Sequence, residues 1–287
     1  MRSNFYIFIL VNRIKMCGRY ILIQKAEILE KRFGVSIPDS IRLVPSYNIA
    51  PGKYAPVITN DHPHEIQLFR FGMTPSWMAK PSLFINARSE GDHNSDNNPN
   101  FNGAKGIITK PAFRKPIRSQ RCLIPADAFI EGPEKEKLNK PYVIYLRDKV
   151  RPFAFAGIWD SWKNPESGEI IHSFAIITTV ANELLQKIQH RRCPVILHRS
   201  DEKNWLSNSL PLSEVTRLLI PYPYELMNAY PIAPTIKNPG ADDPGLIHPA
   251  GERLMPETII RSSSEVRITG MGSTRNFGFD EHNPLGI

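Results

Sequence analysis

Tyr142-Val-Ile-Tyr-Leu146, Phe153-Ala-Phe-Ala-Gly-Ile-Trp159 and Ser173-Phe-Ala-Ile-Ile-Thr-Thr179 decide the fold class of this 287-residue chain. Each run is rich in aromatic and β-branched residues, which suit a pleated and well-buried surface, so each reads as a strand. The segment between the last two, Lys163-Asn-Pro-Glu-Ser-Gly168, is turn material and predicts a hairpin. Outward from these strands the helices read as short. Gln24 to Phe33 brings Ile28, Leu29 and Phe33 to one face and is ended by Gly34. Asn182 is placed to cap a helix from Glu183 to Ile188, and Ser200 one from Asp201, whose acidic first turn suits the helix dipole. Strands cluster in the middle, helices flank them, and no βαβ alternation occurs. The pattern predicts an α+β fold around a largely antiparallel sheet.

Composition narrows the function classes. With 41% hydrophobic residues the chain can bury a real core, and 26 prolines punctuate it into short elements. No segment reaches the length of a membrane span, so no membrane partner is expected. Cys17, Cys122 and Cys193 form neither a disulfide framework nor a zinc spacing, which points to a reducing, cytoplasmic setting. His62-Pro63-His64 is a close histidine pair, but it follows Asn60-Asp61 in turn-like sequence and reads as a solvated loop rather than a metal site. No metal and no cofactor is expected. The net charge of +8 favours polyanions only weakly. From about Ala250 the periodicity dissolves, and residues 250–287 read as a loosely structured tail.

Met16-Cys17-Gly18-Arg19-Tyr20 has the look of a protein start fifteen residues into the chain. Phe5 to Val11 is apolar but short, and the polar, bulky Asn12-Arg13-Ile14-Lys15 that follows offers no small-residue cleavage site. Residues 1–15 therefore read as a dispensable leader or a mis-assigned start, and a signal peptide fits less well. If Met16 is removed, Cys17 carries a free α-amine beside its thiol. Such a 1,2-aminothiol condenses with an aldehyde to an imine and then a thiazolidine ring. Amine and thiol titrate at about 8 and about 8.5, so both need neighbours that move protons. The plainer reading is a buried cysteine that happens to follow a methionine.

Five blocks decide between these readings: Met16-Cys-Gly-Arg-Tyr20, Tyr47-Asn-Ile-Ala-Pro51, Phe71-Gly-Met-Thr-Pro-Ser-Trp77, Asn86-Ala-Arg-Ser-Glu90 and His190-Arg-Arg-Cys-Pro-Val-Ile-Leu197. Arg121-Cys-Leu-Ile-Pro-Ala-Asp127 and Ile176-Ile-Thr-Thr179 fall among them. In this order they resemble the SRAP family, the SOS-response-associated peptidase or abasic-site processing proteins, over residues 16–249, which are expected to form the catalytic domain. The resemblance implies a pseudo-barrel of antiparallel strands with peripheral helices. It implies a protein, expected to be a monomer, that binds single-stranded DNA and captures abasic sites through a thiazolidine cross-link, with a self-processing peptidase activity.

Carried over residue by residue, the resemblance makes Cys17 the nucleophile through nitrogen and sulfur. It makes Asn86 a positioning amide, Glu131 a proton shuttle during imine chemistry and reversal, and His190 the group that protonates the sugar O4′ as the ring opens. Arg19 and Arg88 are expected to hold phosphates beside the lesion. Phe71 and Trp77 are expected to stack on bases, and Thr179 to bond a phosphate. One of Arg191 and Arg192 is expected to pair with a buried carboxylate instead. The chain departs from the family at Ala128-Phe-Ile-Glu-Gly132, where the aromatic residue after the glutamate is missing, so a more open wall is expected beside Glu131. It also has Cys193 where methionine is common, a packing change or a second thiol near the site. Two other classes remain: a Cys-His-Asn thiol peptidase built from Cys17, His190 and Asn86, and a non-catalytic single-strand binder.

Overall fold

A computed structural model describes residues 18–147 and 151–257. Two sheets dominate the described residues. The smaller runs β13 (Met227–Pro231), β8 (Tyr142–Leu146), β7 (Ala128–Glu131), β1 (Tyr20–Leu22) and β2 (Ser46–Ile49), antiparallel throughout. The larger contains β3 (Tyr54–Thr59), β4 (Gln67–Phe71), β5 (Asn86–Arg88), β6 (Arg121–Ala126), β9 (Phe153–Lys163), β10 (Ile170–Val180), β11 (Arg192–Pro194) and β12 (Ile196–Leu197). Its pairings close on themselves: β3 meets β4, β4 meets β10, β10 meets β9, β9 meets β6, and β6 returns to β3. Closure removes the unpaired edges of these strands, the usual reason a twisted sheet becomes a barrel. The expected α+β class with antiparallel-rich, barrel-like sheets is the observed one. Two parallel pairings interrupt the antiparallel rule, β10 with β4 and β10 with β5.

The long strands are buried on both faces. Along β9, Phe153, Phe155 and Trp159 enter one core cluster, while Ala154, Ala156 and Ile158 enter a second. This is the two-residue period of a strand with no wet side. The predicted hairpin joins β9 to β10, with Gly168 at φ 74° and the Asn164 side chain accepting from the Glu166 amide.

Five short helices flank the sheets among the described residues: α1 (Ala26–Phe33), α2 (Pro116–Ser119), α3 (Glu183–Lys187), α4 (Arg199–Leu206) and α5 (Leu212–Arg217). Gly34 ends α1 in the left-handed region, at φ 66°, as its position predicts. Leu29 is buried, but Ile28 stays exposed, so the apolar face is narrower than expected. Asn182 caps α3 by accepting from the Leu185 amide at 3.1 Å. The Ser200 cap is not formed: α4 starts at Arg199 with His198 at the N-cap position. Packing sets that start, because His198 stacks on Tyr222 and Glu202 is drawn to Arg32 at 2.7 Å. Residues 250–257 are tied to β13, through Ala250 N to Pro231 O and Leu254 N to Ala229 O. The expected leader, and the tail beyond residue 257, lie outside the described residues.

One buried ion pair clamps β5 to β11. Arg192 donates to both carboxylate oxygens of Glu90, at 3.2 and 2.8 Å, and to Thr178 Oγ1 at 3.3 Å. Both side chains are essentially inaccessible. Burial pushes the Glu90 carboxyl up, but the Arg192 guanidinium more than offsets this and holds it below the usual carboxylate range. Arg192→Ala is therefore expected to cost about 3–5 kcal/mol by leaving Glu90 buried without its cation, read as a lower urea midpoint. Because the folded Glu90 pKa is depressed, its contribution is present above the unfolded-state value of about 4.3. It is lost as pH falls through the folded value. Urea midpoints between pH 7 and pH 3 should fall more steeply for the wild type than for an Arg192→Met, Glu90→Gln double variant.

Candidate active site

The site is built where β7 ends. Glu131 is the last residue of β7, almost fully buried, and its Oε2 lies 3.5 Å from His190 Nε2. Local backbone sets the histidine. After α3, Gln189 adopts the left-handed conformation at φ 60° and the His190 amide returns to Leu185 O at 2.9 Å. His190 Nδ1 is 2.9 Å from the Gly132 carbonyl. A carbonyl only accepts, so Nδ1 carries the proton and Nε2 is the nitrogen that faces Glu131. Glu131 Oε2 and His190 Nε2 thus face each other within ion-pair distance, an arrangement suited to general acid–base work.

Gly132 contributes more than its carbonyl. A Cβ there would lie 2.0 Å from Lys137 O and 2.8 Å from Lys140 O. The backbone of residues 137–140 therefore packs directly against Gly132, and no larger residue fits here without moving it. Among the described residues, Gly132 and the turn after it are the parts of the site that sequence reasoning missed. The absent aromatic was the signal.

The amino-terminal strand leads to the same place. Tyr20 pairs with Phe129 and Ile21 with Ala128, and the Ile130 amide donates to Arg19 O at 3.0 Å. Cys17 lies outside the described residues. Arg19 is half-buried, and its guanidinium donates to Asn48 Oδ1 and to Lys237 O, both at 2.8 Å. Burial lowers its pKa.

β5 supplies the neutral and cationic groups. Asn86 and Arg88 stand two residues apart, so they share one face of the strand. Asn86 is buried, and neither its Oδ1 nor its Nδ2 has a hydrogen-bond partner among the described residues. Buried amides are nearly always satisfied, as in Asn182, whose Nδ2 donates to Tyr222 O at 2.8 Å. Burial and the nearby Arg192 cation lower the Arg88 pKa, while Glu90, Asp92 and Glu134 act in the opposite sense. Glu134 belongs to the turn after Gly132, where its amide donates to Gln189 O at 3.2 Å and its carboxylate pairs with Arg191.

Two expected DNA contacts are corrected. Phe71 is inaccessible in the core, stacked on Phe174 at 5.2 Å and edge-on to Tyr20 at 5.7 Å, so it has no face to offer a base. Thr179 is equally buried and donates to Leu219 O at 3.3 Å. Both sit on strands whose two faces are covered, which a single sequence does not reveal. Trp77 is 64% exposed on the turn after β4, available for stacking. Cys193 is buried and its thiol is pushed up to about 12 by desolvation, so it is a packing residue and not a second nucleophile. The paired arginine is Arg192, with Glu90. A groove of about 1150 Å³ between α1 and α4, floored by Ile58 and Leu123, includes none of these site residues. Among the described residues no group of three or more His, Cys, Asp or Glu could hold a metal, and no helix is long and apolar enough to cross a membrane.

The chain is similar to known proteins. The family described as SOS response associated peptidase (SRAP) matches residues 16–239. The abasic site processing protein YoqW of Bacillus subtilis (strain 168) is 35% identical over 243 residues, spanning 81% of this chain and 99% of that protein. The abasic site processing protein HMCES of Rattus norvegicus is 26% identical, over 79% of this chain and 71% of that one. A crystal structure of a protein from Bacteroides thetaiotaomicron superposes with a TM-score of 0.68 at 30% identity, covering 82% of this chain and all of the other. Matched over most of its length by the family and by a relative above 30% identity, the chain belongs to the SOS response associated peptidase (SRAP) family.

Proposed function

We propose that this chain processes abasic sites in DNA, capturing the open-chain sugar aldehyde in single-stranded DNA through Cys17. The observation that carries the reading is the Glu131–His190 pair, buried at the end of β7, the strand on which the amino-terminal β1 pairs through Tyr20 and Phe129. Covalent geometry keeps Cys17 within one peptide unit, about 3.8 Å between Cα atoms, of Gly18. The relatives named as abasic site processing proteins support the same substrate.

In the proposed reaction the Cys17 α-amine adds to C1′ of the aldehyde to give a carbinolamine. Loss of its hydroxyl as water, with a proton from Glu131, gives the imine. The Cys17 thiolate then adds to the imine carbon while the nitrogen takes a proton, closing the thiazolidine. One water is released overall. His190, its Nδ1–H spent on Gly132 O, uses Nε2 to protonate O4′ as the closed sugar opens. The unsatisfied Asn86 amide positions the sugar oxygen or the terminus. Arg19 and Arg88 hold flanking phosphates, and Trp77 stacks on an exposed base. Self-removal of the leader is the peptidase step consistent with the family's name. A Cys-His-Asn peptidase would need Asn86 to orient His190, and the contact at His190 Nδ1 is instead the Gly132 carbonyl.

The aminothiol requires a free amine, so the active species is expected to begin at Cys17. Intact-mass measurement of protein from its native host checks this, and a full-length species that still cross-links abasic DNA would overturn it. Cys17→Ser is expected to lose the stable cross-link on a denaturing gel while keeping most non-covalent affinity for single strands, since an oxazolidine is far less stable than its sulfur counterpart.

Proton roles separate by substrate. Glu131→Gln is expected to slow both formation and release of the cross-link by about a hundredfold or more. His190→Ala is expected to slow capture of a closed-ring abasic site more than capture of a simple open-chain aldehyde. Single-turnover time courses of both variants on both substrates test this. Equal loss on the two substrates would make His190 an orienting group for Cys17 instead.

A further inference from the structure

Arg19 is a cation whose described contacts contain no counter-charge. It is half-buried at the start of β1, and burial is the cause that lowers its pKa. Yet it forms no ion pair among the described residues, and its two described partners, Asn48 Oδ1 and Lys237 O, are neutral oxygens. Arg32 and Arg192 are each neutralised by their own glutamate. Arg121, also without an ion pair among the described residues, is sealed in the core by the Trp205, Ile117, Arg118 and Ser207 carbonyls, whereas Arg19 is only half-buried and has two such partners. Neutral oxygens orient a guanidinium and offset part of its lost hydration, but they leave its charge undiminished.

Asn48 is built to do this and nothing looser. It is fully buried. Its Nδ2 donates to Asn238 O and Ala241 O, both at 2.9 Å, and to Ile236 O at 3.3 Å. Its backbone amide donates to Asp242 Oδ1 at 3.1 Å, and its carbonyl accepts from Lys53 Nζ at 2.8 Å. Three carbonyls around Nδ2 fix the amide so that its oxygen can only face Arg19. An aspartate here would still hold Arg19, but as an internal counter-ion.

We propose that Asn48 is a positioning residue that holds Arg19 as a pre-oriented, uncompensated cation, forming an anion subsite for one DNA phosphate beside the reactive terminus. The neutrality of Asn48, as much as its geometry, is what keeps the subsite empty of internal charge. The proposal rests on the DNA-binding reading given above. It assigns the Tyr47-Asn-Ile-Ala-Pro51 block a role that no substrate contact of its own would require.

The test uses the full chain from Cys17 in a Cys17→Ser background, so that only non-covalent binding to an oligothymidylate is read, across a range of salt concentrations. Each phosphate contact contributes about 0.7 to the slope of log affinity against log salt for a single strand. Arg19→Gln is expected to reduce the slope by about that amount and weaken binding several-fold. Asn48→Asp should do the same although Arg19 is still present, and the double variant should lose no more than either alone. Ser46→Ala loosens the same loop through Asp242 without touching Arg19, and should keep the parental slope. Thermal midpoints of every variant separate loss of fold from loss of charge. If Asn48→Asp leaves too little folded protein, Asn48→Gln displaces the acceptor by one methylene and carries the same expectation. A parental slope in a folded Asn48 variant, or losses that add fully with Arg19→Gln, would overturn the role of Asn48. An unchanged slope in Arg19→Gln itself would instead sink the phosphate reading of Arg19.

Discussion

Every functional strand of the larger sheet hangs on β10. On one side Ile176 pairs with Gly157 of β9 and Thr178 with Pro194 of β11. On the other, Phe174 pairs with Phe71 of β4, and Ile176 and Thr178 pair with Asn86 and Arg88 of β5. A strand that serves four neighbours within eleven residues has no freedom to slip, because a one-residue shift would exchange its two buried faces. That constraint sets the Asn86–Arg88 face and, through β11, brings Arg192 under Glu90. The chain between β10 and β11 contains only α3 and the Gln189 turn, so His190 is carried into place by the same register. The geometry of the candidate site is a consequence of sheet register more than of loop shape.

Much of this was legible in the sequence. The β9–β10 hairpin, the Gly34 stop and the Asn182 cap each rest on local chemistry that operates within a few residues, and each is present. The Ser200 cap failed because its competitor is distant: the Arg32–Glu202 pair and the His198–Tyr222 stack span more than twenty residues and set where α4 begins. Phe71 and Thr179 misled for a related reason. An aromatic or hydroxyl residue in a conserved-looking block can be there for the core, and only the closure of the sheet shows that both faces of its strand are covered. Asn86, Glu131 and His190 were singled out from motif blocks alone, and all three are buried polar residues. What the blocks could not supply was their support, the Gly132 carbonyl and the 137–140 backbone that packs against Gly132.

Polar groups buried near the site fall into two kinds, and the difference has chemical meaning. Glu90 and Arg192 satisfy one another and also fasten two strands, so their charge is spent on structure. Glu131 and His190 face each other at 3.5 Å, an ion-pair distance longer than a hydrogen bond. Asn86 is buried with its amide unanswered. A protein selected only for stability would remove such a group, since an orphaned buried amide costs on the order of 1–3 kcal/mol. Its retention supports the positioning role proposed for it above.

The same division explains how a chain of net charge +8 can present its charge locally. Arg32, Arg192 and Arg191 are each held by a carboxylate and add little field outside their own pairs. Arg19 is held by a buried amide and a backbone carbonyl, neither of which carries charge. Along β1 the chain therefore passes from the hydrophobic Tyr20–Leu22 stretch, sealed between β2 and β7, to a half-buried cation whose charge is not cancelled by its partners. A desolvated charge interacts more strongly with an incoming anion than a hydrated one does, because less water intervenes to screen it. Orientation by neutral oxygens is the cheapest way to hold such a cation still without cancelling it, and it places that field within three residues of the position where the proposed covalent bond forms.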